Sequence, residues 1–255
     1  MTTQANNKIN YYDDKDHNYE DFWQGRDYEH NAEMIAIDKL LNGRHFSLAM
    51  DYGGGYGRVT PKLLEYSDRV ILVDPSVKQL NAARVKLKGL PVDYELQATK
   101  DTVPAKDNSL DLLVMIRVTH HLPEPGKVFS EIYRTLKPDG IALIEIANEA
   151  HFINRMRYLT RFKGVPKTPV PIGERANGRG DDTPFVNHNP LTVESTLKQI
   201  GFRLEAKLSV SNLRRGILKR HLSPKTMLAI ENSLQRPLAK VNFGPSIFLL
   251  VRKGQ

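Results

Sequence analysis

A glycine-rich turn between an apolar run and a helical pattern is the feature that most constrains the fold of this chain. Residues 46–50 predict a buried strand, an acid follows at Asp51, and glycine occupies positions 53, 54, 55 and 57. Glycine reaches backbone angles closed to other residues and lets a ligand lie against the main chain. The turn would also aim backbone N–H groups and the positive end of the next helix at one point. We therefore predict a loop that binds an anionic ligand.

A second acid lies where a βαβ unit would place a ribose-binding side chain. Residues 69–73 predict a second strand, which ends at Asp74 and Pro75, 21 residues after Gly53. A carboxylate at this distance lies at the tip of the second strand and can accept both ribose hydroxyls of a nucleoside. A dinucleotide fingerprint that began at Gly53 would need glycine at position 58, where Arg58 stands. The loop and the acid together predict a nucleoside ligand.

Three further strand patterns alternate with helical patterns up to residue 146. Residues 92–96, 112–116 and 141–146 predict strands, and a helix over residues 76–88 is expected to face inward at Val77, Leu80, Ala83 and Val85. Strands alternating with helices predict a doubly wound α/β sheet. A turn with His120 and His121 follows the fourth strand, at the edge where an open parallel sheet binds its ligands.

The composition excludes several kinds of site. The 255 residues include no cysteine, which excludes a disulfide framework, a thiolate zinc site, an iron–sulfur cluster and a cysteine nucleophile. No carboxylate stands at ligand spacing beside the two histidines, so no metal site is predicted. The first 20 residues are polar and acidic and predict neither a signal peptide nor a transmembrane segment. We expect a cytoplasmic protein.

Five motifs in the expected order resemble those of the class I S-adenosylmethionine-dependent methyltransferases, particularly their small-molecule branch. They are residues 51–57, Val73-Asp74, 108–111, 119–122 and 131–140. The resemblance covers roughly residues 46–150. It implies a Rossmann-like α/β fold: a doubly wound, mostly parallel seven-stranded sheet with an antiparallel edge strand and helices on both faces.

The resemblance also implies S-adenosylmethionine as cofactor and S-adenosylhomocysteine as product. The residues that it places beside the cofactor are Asp51, Gly53, Gly54, Gly55, Gly57, Asp74, Pro75, Thr99, Lys100 and Arg117. Asp74 would bind the ribose, and Arg117 would lie near the sulfonium. Thr99 and Lys100 depart from the Asp and small residue that the family commonly has beside adenine. Because Lys cannot accept the adenine amino proton, a backbone group is left to do so.

Methyl transfer requires aligned reactants, and it requires a general base only when the acceptor loses a proton. In small-molecule O-methyltransferases of this fold the catalytic His lies in a similar turn, which makes His120 the candidate base. A structural role for the His pair is the alternative. The candidates for substrate contact or site closure are Trp23, Arg26, Tyr28, His121 and Arg215.

The chain divides into three parts by pattern. Residues 1–45 predict an aromatic arm and a helix that cover the site, residues 46–150 predict the cofactor-binding core, and residues 151–255 complete the sheet. Two insertions, 161–189 and 212–241, are expected to border the acceptor site.

Charge is distributed unevenly along the chain. Residues 1–150 carry 18 Lys and Arg against 23 Asp and Glu, a net charge of −5, whereas residues 151–255 carry 19 against 6, a net charge of +13. Arg215, Lys219 and Lys225 would form a cationic stripe on the second insertion. It could hold an anionic small substrate, contact nucleic acid or an anionic lipid surface, or be a solvated helix face.

These patterns predict a methyltransferase that acts on a small or medium-sized acceptor, with oxygen as the expected methylated atom. A methyltransferase of RNA or another macromolecule and a non-catalytic S-adenosylmethionine-binding protein are the alternatives. The sequence does not indicate an oligomeric state.

Overall fold

The computed structural model describes residues 21–99, 101–172, 185–214 and 216–254. Its strands are β1 (Phe46–Tyr52), β2 (Ser67–Asp74), β3 (Val92–Leu96), β4 (Leu110–Met115), β5 (Leu136–Ala147), β6 (Val170–Pro171), β7 (Val186–Asn187), β8 (Phe202–Val210) and β9 (Ser246–Lys253). Its helices are α1 (Asp27–Leu41), α2 (Thr60–Leu64), α3 (Val77–Lys86), α4 (Gly126–Thr135), α5 (Phe152–Leu159), α6 (Pro190–Ile200), α7 (Gly216–His221) and α8 (Pro224–Ala239).

The strands confirm the predicted sheet. Seven of them pair in the order β3-β2-β1-β4-β5-β9-β8. The pairs among β1 to β5 are parallel, and β9 runs antiparallel to both β5 and β8. The carboxyl ends of β1, β2, β4 and β5 therefore meet at one side of the sheet, which we call the carboxyl edge. Open parallel sheets bind their ligands at this edge.

Apolar side chains on both faces of the sheet form the core. Met50, Leu113 and Phe129 belong to one buried cluster, whereas Ala49, Leu112 and Phe248 belong to another. Successive residues of a strand point to opposite faces, so a strand that is covered on both sides is apolar throughout. This explains why residues 112–116, most of which belong to β4, form an uninterrupted apolar run in the sequence.

Some element boundaries differ from the sequence prediction. β5 begins at Leu136, five residues before the predicted strand over residues 141–146, and therefore includes residues 137–140. On α3 the predicted inward face was wrong at two positions, since Val77 is 51% exposed and Val85 is 80% exposed. The buried stripe of this helix is narrower, and it consists of Leu80, Ala83 and the following Leu87.

The second insertion folds as α7 and α8, and α8 packs against α1. The fully buried Glu231 of α8 joins the two helices, because its carboxylate accepts from the Tyr28 hydroxyl at 2.6 Å. The same carboxylate accepts from the backbone N–H groups of Ser211 and Asn212. Burial is the largest cause of the raised pKa values of Glu231 and Tyr28. The insertion therefore holds the N-terminal helix against the sheet.

Within the described residues, no helix is both long and apolar enough to cross a membrane.

We predict that Glu231→Gln lowers the free energy of unfolding by about 3 kcal/mol, because an amide cannot accept all the bonds that the carboxylate accepts. Ser233→Ala, on the exposed side of the same helix, is the control and is expected to cost less than about 0.5 kcal/mol. Urea unfolding followed by circular dichroism measures both. Equal losses in the two variants would contradict this role of Glu231.

Candidate functional site

The glycine loop lies at the carboxyl edge between β1 and α2. Gly53, Gly55 and Gly57 have φ angles of +73°, +55° and +77°, in the left-handed region that favours glycine. The backbone N–H groups of Gly53 and Gly54 both donate to the carbonyl of Val73, at 2.7 and 3.1 Å. The N–H group of Gly57 donates to the carbonyl of Gly54. The sequence suggested that these donors would face an anion, but the structure shows that the protein itself binds them.

Gly53 also lies directly against the turn that follows β4. A Cβ atom on Gly53 would come within 2.3 Å of Val118 Cγ2, which is closer than real contacts allow. The glycine loop and the turn that carries His120 therefore touch, and the space between them has no room for a side chain at position 53.

Asp74 lies at the end of β2, as predicted, and is 7% exposed. Its Oδ2 accepts from the backbone N–H of Gly55 and its Oδ1 accepts from that of Ser76, both at 2.9 Å. Pro75 separates it from Ser76, whose hydroxyl caps α3 by accepting from the N–H of Gln79. The carboxylate is thus bound to the loop and to the start of the helix, at the position expected for a ribose-binding acid.

Asp51 lies behind the loop. It is buried, and its Oδ2 accepts from the Thr60 hydroxyl at 2.7 Å. Burial raises the pKa of Asp51 to about 6, although the Thr60 hydrogen bond and the charge of Arg58 oppose the shift. Gly54 packs against this carboxylate, since a Cβ there would lie 2.8 Å from Asp51 Cγ. The acid therefore supports the loop from the protein side.

The predicted adenine contacts are only partly within the described chain. Thr99 is exposed, and its hydroxyl lies 2.5 Å from that of Thr102. Lys100 lies outside the described residues. The buried Gln97, which the sequence did not single out, donates through Nε2 to the hydroxyl of Tyr52 and to the carbonyl of Thr102.

A buried carboxylate that the sequence analysis missed connects the loop to the end of β4. Glu33 of α1 is 0% exposed and pairs with Arg58 Nη2 at 2.6 Å and with Arg117 Nη2 at 2.7 Å. Burial alone would raise the pKa of Glu33, but the two guanidinium groups lower it below the usual value. Arg117 has a φ of +63°, and its N–H donates to Glu145 at 3.1 Å. The ion pairs hold Arg117 in this strained conformation.

The N-terminal segment covers this cluster. The indole of Trp23 is buried and lies 3.6 Å from the Arg58 guanidinium carbon, whereas the Arg26 guanidinium lies over the Phe22 ring. Tyr28 is bonded to Glu231, so its hydroxyl belongs to the contact between α1 and α8. Arg215 lies outside the described residues, and Lys219 of the predicted stripe pairs with Glu29 at 2.9 Å. Roles in closure for Trp23 and Arg26 remain predictions.

His120 and His121 lie in a 3-10 turn, Thr119–His121, at the carboxyl edge. Their rings are 4.0 Å apart between centroids, and the Phe185 ring lies 5.2 Å from His120 and 4.9 Å from His121. A third histidine, His188, lies against this turn, with its Nε2 2.9 Å from the carbonyl of Thr119. Burial, together with the charges of His121 and Arg117, lowers the pKa of His120 well below its ordinary value.

No cluster of metal ligands was found within the described ranges. The arrangement at the carboxyl edge is that of a nucleoside-binding α/β protein, with a glycine loop after β1, an acid after β2 and an aromatic, histidine-lined turn after β4.

Comparison with known proteins identifies the family. A model described as a methyltransferase domain matches residues 50–144. The ubiquinone biosynthesis O-methyltransferase of Thiobacillus denitrificans is 30% identical over 185 residues, which cover 64% of this chain and 75% of that protein. An uncharacterized methyltransferase of Mycobacteroides abscessus is 30% identical over 49% of this chain and 44% of its own length. The chain therefore spans less than half of this relative, and about two fifths of three mycobacterial relatives.

A solved structure supports the fold. The S-adenosylmethionine-dependent methyltransferase of Mesorhizobium loti superposes with a TM-score of 0.60 at 17% identity, over 87% of this chain and 98% of that one. The chain belongs to the class I S-adenosylmethionine-dependent methyltransferases, and the predicted fold class and cofactor are confirmed. The site fits this cofactor, since a glycine cradle that is too closely packed for side chains at positions 53, 54 and 57 lies beside a carboxylate at the end of β2.

We predict that Gly53→Ala weakens S-adenosylhomocysteine binding at least about tenfold, because the added methyl group must displace Val118 or the loop. Gly43→Ala is the matched control. Its φ of +74° imposes the same backbone strain, but nothing lies within 4 Å of its Cβ position. Isothermal titration calorimetry should therefore give wild-type affinity for Gly43→Ala. Equal affinities for the two variants would show that the contact with Val118 does not matter.

We also predict that Glu33→Gln lowers the free energy of unfolding by about 3 kcal/mol, because two partly buried guanidinium groups lose their buried counter-charge. Glu205→Gln is the control. Glu205 also lies between two arginines, Arg44 and Arg252, but at the protein surface, so its loss is expected to cost less than about 1 kcal/mol. Urea unfolding measures both, and a Glu33→Gln cost as small as that of the control would contradict the prediction.

Proposed function

We propose that the protein transfers a methyl group from S-adenosylmethionine to an oxygen atom of a small or medium-sized acceptor, with His120 as the general base. The observation that carries this proposal is the position of His120 in the turn after β4, at the carboxyl edge and beside the Phe185 ring. A hydroxyl acceptor loses a proton as the methyl group arrives, and a neutral imidazole within reach can take it.

The protonation state of His120 supports the proposed role. Its pKa is lowered well below the ordinary value, with burial as the largest cause, so the ring is neutral at physiological pH. A neutral imidazole has a lone pair ready for the proton, whereas a protonated one does not. His121 is the next residue of the same turn, is half-buried like His120, and is the matched residue for comparison.

The remaining residues take roles that this chain's geometry supports. Asp74 would accept the ribose hydroxyls, and the cradle of Gly53, Gly54, Gly55 and Gly57 would hold the methionine part against the backbone. Arg117, held by Glu33, would lie beside the reacting centres. S-adenosylmethionine supplies an electrophilic methyl group when bound. In-line displacement then requires chiefly that the acceptor oxygen be aligned and water excluded.

The names of two relatives support a small-molecule acceptor. One is the ubiquinone biosynthesis O-methyltransferase already described, and another is a demethylmenaquinone methyltransferase of Lactobacillus johnsonii, 26% identical over 65% of this chain and 71% of that protein. The alternative, a methyltransferase that acts on RNA, relies on the cationic stripe to bind the nucleic acid. One cation of that stripe, Lys219, is already paired with Glu29, which weakens the support for this alternative.

A screen identifies the acceptor. Purified protein and S-adenosylmethionine that carries a labelled methyl group are incubated in separate reactions with a cell metabolite extract, with total RNA and with total cell protein, and labelled products are identified by mass spectrometry. An oxygen-methylated small molecule supports the proposal. Label that appears only on RNA or protein, or only on carbon or nitrogen, would contradict it.

For the acceptor found, we predict that His120→Asn lowers turnover by about two to four orders of magnitude, whereas His121→Asn lowers it by less than about fivefold. Both variants should bind S-adenosylhomocysteine as wild type does. Because protonation of a residue with a lowered pKa requires a lower pH, wild-type turnover should stay level as the pH falls through 6.5, the ordinary value for His. A fall centred at pH 6.5, or equal losses in the two variants, would rule out His120 as the base.

A further inference from the structure

The segment that leads into the first insertion exposes apolar side chains. We call residues 152–163, which are helix α5 and the turn after it, the α5 surface. Phe152, Met156 and Leu159 are all exposed and follow one another at intervals of four and three residues, which places them on one face of the helix. No residue of α5 is buried within the described structure. Grouped exposed apolar side chains mark an interaction surface more often than isolated ones do.

Phe162 is the most unusual residue of this surface. Its φ is +53°, and its side chain is 99% exposed. The N–H of Lys163 donates to the carbonyl of Tyr158 at 2.9 Å, so α5 ends in a turn whose left-handed position is usually occupied by glycine. A bulky aromatic residue there carries both backbone strain and the cost of exposing its ring to water. Both costs destabilise the folded protein. We therefore expect the exposed Phe162 ring to contact a binding partner.

The charged side chains that this segment itself carries are all of one sign. Residues 151–172 contain five cationic side chains and no Asp or Glu, and these are Arg155, Arg157, Arg161, Lys163 and Lys167. Apolar residues on one face of a short helix, with cations around them, are typical of segments that lie in the interface of an anionic membrane. Met156 and Leu159 are not aromatic and Phe152 already stacks on Phe243, which leaves only the Phe162 ring to stack on bases and disfavours an RNA partner.

We propose that the α5 surface binds an anionic lipid membrane, with Leu159 and Phe162 inserted among the headgroups and the arginines on the lipid phosphates. Internal contacts hold the helix so that these residues project outward. The Phe152 ring stacks on Phe243 at 5.2 Å, and the Tyr158 hydroxyl donates to Glu149 at 2.6 Å.

The surface is connected to the candidate site through β7. The N–H of Glu149 donates to the carbonyl of His188, and the ring of His188 contacts the carbonyl of Thr119, next to His120. Membrane binding would therefore bring the candidate site close to the lipid, where an apolar acceptor is dissolved.

Sedimentation with lipid vesicles tests the proposal on the full chain. Wild type should bind vesicles of phosphatidylcholine with phosphatidylglycerol at least about tenfold more tightly than vesicles of phosphatidylcholine alone, and high salt should weaken the binding. Phe162→Gly should lower affinity for the anionic vesicles about tenfold while leaving Tm unchanged or higher, because glycine relieves the backbone strain. Leu159→Gln should also weaken binding.

Leu191→Gln is the control, since Leu191 lies on α6 and is 63% exposed, close to the 64% of Leu159. It should bind vesicles as wild type does. Vesicle binding requires neither cofactor nor acceptor, so the result is independent of the proposed reaction. The proposal is overturned if wild type does not bind anionic vesicles, or if Phe162→Gly and Leu159→Gln bind them as tightly as wild type. It is also overturned if the surface instead binds RNA oligomers or joins two copies in sedimentation velocity.

Discussion

The backbone carbonyl of Val73 holds the loop on which the candidate site depends. It accepts the N–H groups of Gly53 and Gly54, and the next residue, Asp74, accepts the N–H of Gly55. Because these donors are bound inside the protein, the loop keeps its shape without a ligand, and less order has to be gained on binding. Val118 packs on Gly53, so the position of the loop also determines the position of the histidine turn. The end of strand β2 therefore fixes the position of the glycine loop relative to His120, the candidate base.

The sequence predicted the parallel sheet and the glycine loop, because these depend on local patterns of apolar and glycine residues, whereas the antiparallel edge strand was implied by the family resemblance. It missed Glu33, whose partners Arg58 and Arg117 lie 25 and 84 positions away. An acid on the apolar face of a helix indicates that it pairs with a cation from another part of the chain. The helix sequence does not identify which residue that cation is. The turn residues 137–140 obscured the early start of β5, since Pro, Asp and Gly resemble a simple helix end.

Two buried carboxylates connect the N-terminal helix to the rest of the protein. Glu33 joins α1 to the two loops at the carboxyl edge, and Glu231 joins it to the second insertion. Apolar packing alone would let the helix settle in several neighbouring orientations. Ion pairs and hydrogen bonds to carboxylates of fixed position select one of these, which places Trp23 over Arg58. The segment around Trp23 and the second insertion are therefore both fixed in position by their contacts with α1.

Trp23 is the only tryptophan of the chain, and it lies against Arg58 and 5.3 Å from Arg117. Its indole Nε1 is buried and has no hydrogen-bond partner among the described residues. All indole emission of this protein therefore originates beside the glycine loop, next to two positive charges whose field shifts the emission wavelength. The protein carries a single optical probe at its candidate site, and movement of the cover can be followed by fluorescence without any added label.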